Sequence, residues 1–137
     1  MKGYIRQGQS MTDKQHTIDD DQGDRLLEIV LAALADIKGV DIKVIDVRDL
    51  TSITDRMVIV SGTSSRHIKA MADNVVLETK QNGFPALGVE GENGSEWVLV
   101  DLADVVVHIM MPEIREFYAL EKLWSVGGHH TGLSENG

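Results

Sequence analysis

Three stretches of this chain carry apolar residues at the spacing of one helical face. The first follows a cap at Asp24 and stops at Gly39, and the second follows a cap at Ser64 or Ser65. Pro112 fits the first turn of the third, where a missing N–H is tolerated. The apolar stripes are Leu26, Leu27, Val30, Leu34 and Ile37; Ile68, Met71, Ala72, Val75 and Val76; and Ile114, Phe117, Leu120, Leu123 and Trp124. This spacing predicts three amphipathic helices.

Short apolar segments between these helices predict strands. They cover residues 42–47, 57–60, 87–89, 97–100 and 105–110. Turn residues at Asn93-Gly94 and at 101–104 separate the last of them, which predicts an antiparallel β-meander. The strand–helix–strand unit over 57–89 is expected to form a right-handed parallel crossover, with the rest of the sheet antiparallel.

The elements follow the order αββαβββα, which indicates an α/β fold with helices flanking a mixed sheet of about five strands. A length of 137 residues suits one compact domain. We expect that domain over 24–125. Because both ends are polar and weakly patterned, we expect a disordered N-terminal extension over 1–23 and a flexible C-terminal tail over 126–137.

Composition narrows the classes of partner and compartment. The formal net charge is -9, which disfavours binding to bare nucleic acid and favours a basic protein or a small ligand. The absence of cysteine excludes disulfides, thiolate zinc sites and cysteine nucleophiles. The start of the chain carries no apolar leader, and no apolar run is long enough to span a bilayer, so a cytoplasmic protein is expected.

The hydroxyl and imidazole side chains give no clear catalytic or metal-binding pattern. Serines and histidines are present, but no G-x-S-x-G nucleophile elbow and no H-E-x-x-H pair occurs. Ser64 and Ser65 are better explained as helix caps. His108 lies inside an apolar strand, where a hydrogen-bonded core or interface histidine is usual. We therefore predict no catalytic residue, no metal ligand and no cofactor-binding residue.

The segment Ser61-Gly62-Thr63-Ser64-Ser65 joins a buried strand to a helix and is the strongest candidate for an enzyme. Backbone N–H groups at a helix N-terminus bind phosphate, and nucleotidyltransferases have a similar strand, Gly-Ser turn and helix. Those enzymes also need two carboxylates on one face of a strand. The available pairs, Asp46 with Asp49 and Asp101 with Asp104, are spaced by three and point to opposite faces of an extended strand.

An acidic loop that leads into a tryptophan is the strongest candidate for a binding surface. A tryptophan in this position is either core or an interface anchor, and the acidic loop favours the anchor. The last helix offers a second aromatic set, in which Phe117 and Leu120 are expected to serve the core. The predicted partner-binding residues are Glu90, Glu92, Trp97, Asp101, Tyr118, Leu123 and Trp124.

Several segments, taken in order, resemble the signature of the ribosomal silencing factor (Iojap-like) family. One runs from Asp55 and ends in Ser61-Gly62-Thr63-Ser64-Ser65-Arg66-His67. The others are Glu90-Gly91, Trp97-Val98-Leu99-Val100-Asp101, Asp104-Val105-Val106-Val107-His108 and Arg115-Glu116-Phe117-Tyr118-Ala119-Leu120-Glu121-Lys122-Leu123-Trp124. Each is weak alone, but together they stand in register across the predicted domain.

The resemblance implies a nucleotidyltransferase-like fold without the catalytic carboxylates, and a protein that is not an enzyme. It implies binding to the large ribosomal subunit through large-subunit ribosomal protein fourteen, at the face where the small subunit docks. Subunit joining is then blocked, and translation falls when nutrients are scarce. A homodimer in the free state, with little direct nucleic-acid contact, is also implied. The alternative, a nucleotidyltransferase acting on a small substrate, stays open at this point.

Overall fold

A computed structural model describes residues 11–91, 95–120 and 122, with the backbone alone described for 11–20. Helices α1, α2 and α3 span Met11–Asp36, Ser65–Gln81 and Pro112–Tyr118. Strands β1 to β5 span Val40–Asp46, Arg56–Ser61, Gly88–Glu90, Trp97–Asp101 and Val105–Met110. The order αββαβββα is the predicted one, and the α/β class is confirmed.

The strands form one mixed five-stranded sheet in the order β1-β2-β5-β4-β3. Strands β3, β4 and β5 pair antiparallel in sequence, which confirms the meander, and β1 pairs antiparallel with β2. The parallel neighbour of β2 is β5. Strand β3 runs in the same direction as β2, as the crossover prediction requires, but two other strands lie between them.

One face of the sheet forms the main core with α1 and α2. Side chains alternate between faces along each strand. Those on this face are Val58, Val60, Val98, Val100, Val105, Val107 and Ile109, and the helices contribute Leu26, Val30, Leu34, Ile68, Met71 and Val75. Burying one aliphatic side chain of this size contributes roughly 1.5–3 kcal/mol to the stability of the fold. The apolar stripes of α1 and α2 therefore face the sheet, as their spacing predicted.

The opposite face carries a second, smaller core. Its buried residues are Val47, Met57, Ile59 and Met110, and Ile45, Trp97, Ile114 and Leu120 pack against them with partial exposure. Helix α3 contributes Ile114 to this cluster. On the same face, Leu99 of β4 is partly exposed and Glu90 of β3 is exposed.

The start of α1 differs from the prediction. The helix begins at Met11 rather than at a cap on Asp24, so its backbone extends into the segment that was expected to be a disordered extension. Once the packed part of a helix has formed, each further residue adds a hydrogen bond, and this segment has no proline to stop it. The Asp24 carboxylate instead accepts a hydrogen bond from Arg56 at 3.2 Å. Residues 1–10 and the predicted tail lie outside the described residues, and the division into domains stays a prediction.

Two predicted helix starts are confirmed. Ser64 caps α2, where its side chain accepts a hydrogen bond from the His67 N–H at 3.0 Å. Pro112 occupies the first turn of α3. Within the part of the chain that the structure describes, no helix has the length and apolar character to cross a membrane.

Candidate functional site

Three ring side chains from three different elements meet on the second face of the sheet. Trp97 begins β4, His108 lies on β5, and Tyr118 ends α3. The ring centroid of Trp97 is 4.9 Å from that of Tyr118 and 5.8 Å from that of His108. Phe117 packs edge-on against Tyr118 at 4.9 Å. We call Trp97, His108, Phe117 and Tyr118 the aromatic cluster.

A hydrogen bond joins the two sheet residues of the cluster. The Trp97 Nε1–H donates to His108 Nδ1 at 3.0 Å. An indole N–H is a donor only, so Nδ1 accepts and the imidazole is neutral with its proton on Nε2. Burial of His108, which is 7% exposed, lowers its pKa to about 4. The hydrogen-bonded histidine predicted inside this strand is therefore present, and its partner is the tryptophan.

The sheet brings the acidic residue Glu90 next to the cluster. Glu90 pairs with Leu99, and Leu99 pairs with His108 on the far side, so these residues share one face with Trp97. Glu90, Gly91, Trp97 and Leu99 line a shallow cavity of about 240 Å³, which we call the hollow. The Glu90 carboxylate therefore lies at the rim of the hollow, whose walls are largely apolar.

Asp101 shares that face but lies farther away. It is four residues along β4 from Trp97, which corresponds to about 13 Å in an extended strand. Its carboxylate accepts the Ala103 N–H at 2.9 Å and so stabilises the turn into β5. Of the other predicted partner-binding residues, Tyr118 is 51% exposed within the cluster. Glu92, Leu123 and Trp124 lie outside the described residues.

Phe117 was expected in the core, and the structure corrects this. It is 79% exposed. The buried side of α3 is set by Ile114 and Arg115, with Tyr118 one turn later, and at 100° per residue position 117 falls roughly 110° from the centre of that side. The helix then ends at Ala119 in a left-handed conformation (φ 47°), and Leu120 returns to the second core as predicted.

Two backbone donors of the loop suspected of binding phosphate are used within the protein. Gly62 N–H donates to the Met110 carbonyl at 2.9 Å, and Thr63 N–H donates to His67 Nδ1, also at 2.9 Å. His67 Nε2 lies 2.6 Å from the Ile37 carbonyl, so this ring ties the loop to the end of α1. The segment is therefore a packed junction between β2, α2 and α1.

Two of the four carboxylates weighed for catalysis, Asp46 and Asp101, have partners within the protein. A hydrogen bond from the Arg48 guanidinium, at 2.6 Å, lowers the pKa of Asp46 to about 2. Asp101 and Asp104 lie on either side of the β4–β5 turn rather than on one strand face. In residues 11–91, 95–120 and 122, no three potential metal ligands come together.

A separate cavity of about 370 Å³ lies at the end of β2, beside α3. Arg115, only 6% exposed, lines it. Its Nη1 donates to Ser61 Oγ at 2.9 Å, and its Nη2 lies 3.6 Å from the Asp41 carboxylate. These contacts link α3 to β2 and β1, so Arg115 holds in place the helix that carries Tyr118.

Comparison with known proteins agrees with the resemblance seen in the sequence. Residues 20–135 match the protein family described as "Ribosomal silencing factor during starvation". The chain is 50% identical over 100 residues to ribosomal silencing factor RsfS of Haemophilus influenzae, covering 73% of this chain and 98% of that protein. It is 33% identical over 107 residues to the chloroplastic protein Iojap of Zea mays, covering 77% of this chain and 46% of that protein.

A solved structure supports the same assignment. The crystal structure of a protein from Chromobacterium violaceum matches with a TM-score of 0.73 and 44% identity, covering 74% of this chain and 84% of that one. The sequence matches and the structural match therefore each cover more than two thirds of the chain. This chain belongs to the ribosomal silencing factor family.

Proposed function

We propose that this protein represses translation by binding the large ribosomal subunit through large-subunit ribosomal protein fourteen. It occupies the face where the small subunit docks, prevents the two subunits from joining, and does so when nutrients are scarce. The family assignment supports the silencing role. The observation that carries the choice of binding surface is the aromatic cluster, in which Phe117 is 79% exposed and Tyr118 is 51% exposed.

The chemistry of this surface suits a basic protein partner. A few hot-spot residues, among which Trp and Tyr are enriched, supply most of the binding energy of a typical interface. Here the aromatic side chains adjoin the hollow, with its apolar walls and the Glu90 carboxylate at its rim. The chain carries a net charge of -9, so a basic ribosomal protein is attracted at long range while ribosomal RNA is repelled.

The proposed mechanism is steric and needs no catalysis. The phosphate-loop candidate donates the N–H groups of Gly62 and Thr63 to Met110 and His67, which leaves these two donors unavailable to a nucleotide. The fold is proposed to be nucleotidyltransferase-like without the catalytic carboxylate pair. A folded domain bound at the docking face excludes the small subunit by its volume alone.

We also propose that the free protein is a homodimer. Strand β1 lies at an edge of the sheet and pairs with β2 on one side only. Val40 and Val44 on this strand are 43% and 42% exposed. An apolar strand edge of this kind is a template for pairing with a second chain.

The binding surface is tested by sedimenting the protein with purified large subunits and, separately, by measuring its affinity for ribosomal protein fourteen. Trp97→Ala is expected to weaken both by roughly 30- to 1000-fold, as truncation of an aromatic hot spot does. Trp97 also packs on the second core, so this variant loses some stability. Phe117→Ala removes a highly exposed side chain and tests the same surface with the fold intact.

Leu77→Ala is the matched control. Leu77 is apolar and 49% exposed, but it lies on α2, which packs on the other face of the sheet. The proposal requires normal binding by this control and weak binding by Phe117→Ala, with thermal melts showing that both are folded. Wild-type affinity for both aromatic variants would place the binding site elsewhere.

A further inference from the structure

The indole of Trp97 is held by a hydrogen bond that points into the protein. Its single N–H donates to His108 Nδ1 at 3.0 Å, and the side chain is half-buried. A partner protein therefore meets the ring of Trp97 rather than its N–H. An indole without this bond would rotate more freely and would need an acceptor from water or from the partner.

His108 is itself fixed by its neighbours. It lies on β5 between Ile59 of β2 and Leu99 of β4, in register with both. The residue is 7% exposed, so its ring has little freedom to turn. The acceptor atom is therefore presented to the indole from a central strand of the sheet rather than from a loop.

We infer that His108 is a positioning residue for partner binding, which holds the Trp97 ring as a wall of the hollow beside Glu90. This inference rests on the proposed function and adds a residue that does not itself touch the partner. An interface anchor held in its bound orientation loses less conformational entropy on binding. Loss of the acceptor therefore weakens binding even though the contact surface keeps all its atoms.

A pair of substitutions separates the acceptor from the bulk of the ring. His108→Asn places an amide oxygen near the position of Nδ1 and keeps an acceptor, whereas His108→Leu keeps apolar volume and removes it. We expect His108→Leu to bind large subunits about 3- to 10-fold more weakly, the usual range for one hydrogen bond. His108→Asn is expected to stay within about twofold of the wild type.

A double-mutant cycle distinguishes positioning from a general effect on the fold. Trp97→Phe removes the indole N–H and keeps an aromatic ring, so in this background His108→Leu should cause no further loss of binding. The NMR signal of the Trp97 indole N–H gives a direct readout. It should shift and exchange faster with water in His108→Leu, and much less so in His108→Asn.

The outcomes separate this inference from the proposed function. Normal binding by His108→Leu, together with weak binding by Trp97→Ala and Phe117→Ala, overturns the positioning role and leaves the binding surface in place. Normal binding by Trp97→Ala and Phe117→Ala overturns the proposed surface, and the positioning role with it. If His108→Leu does not fold, the cycle is run with His108→Phe, which also removes the acceptor but keeps a ring, and equal losses with Trp97 and with Trp97→Phe contradict the inference.

Discussion

The buried, neutral His108 makes stability depend on pH in a defined window. Burial lowers its pKa from 6.5 to about 4 in the folded protein. Between these values the unfolded chain binds a proton at this position and the folded chain does not. The free energy of unfolding therefore contains the full contribution of a neutral His108 above about pH 6.5. That contribution is lost as the pH falls toward 4.

The size of the effect follows from the two pKa values. Each unit of difference corresponds to about 1.4 kcal/mol, so lowering the pH from 7.5 to 4.5 removes roughly 2.5 kcal/mol from the free energy of unfolding. This is a large share of the ~5–15 kcal/mol typical of a domain. Protonation also turns Nδ1 into a donor, so the hydrogen bond from Trp97 is lost below this window.

The assay is urea unfolding at a series of pH values for the wild type and for His108→Asn. The remaining histidines and all the carboxylates are common to both proteins, so the difference between the two curves reports His108 alone. We expect the wild type to lose about 2.5 kcal/mol more than the variant between pH 7.5 and 4.5. If the free energy of unfolding depends on pH in the same way in both proteins, His108 is not held neutral in the folded state.

Three further perturbations test the packing, the helix cap and the edge strand. Gly62→Ala is expected to destabilise the fold by about 1–3 kcal/mol, since its Cβ would lie 2.7 Å from Ile68; Gly88→Ala is the control, with nothing within 4 Å. Ser64→Ala should lower the free energy of unfolding by about 1 kcal/mol in denaturant titrations through loss of the α2 cap. Val44→Lys should convert the proposed homodimer to a monomer in sedimentation velocity, and an unchanged dimer would exclude the β1 edge as the interface.

The local elements were predictable because their signals are local. Short continuous apolar runs placed β2 and β5, and Ser64 and Pro112 marked the starts of two helices. The order of the strands was not predictable in the same way. The position of β5 beside β2 depends on pairing between segments more than forty residues apart, and no residue within either strand encodes the choice of neighbour.

In the candidate site, too, the local features could be predicted from the sequence and the features that depend on strand pairing could not. Trp97 and Glu90 were singled out from their sequence neighbourhood, and the sheet brings them to one hollow. The role of His108 depends on the β4–β5 register, which only the fold supplies. Phe117 was misplaced because the apolar spacing of a seven-residue helix does not show which side faces the core.

The most direct test of the account is the joining of purified ribosomal subunits, followed by light scattering as the protein is added. The account predicts that joining falls in proportion to the protein added and reaches its minimum at one protein per large subunit. Phe117→Ala should need much more protein for the same effect. Undiminished joining at saturating protein, with the protein shown by sedimentation to be on the large subunit, would contradict the steric mechanism.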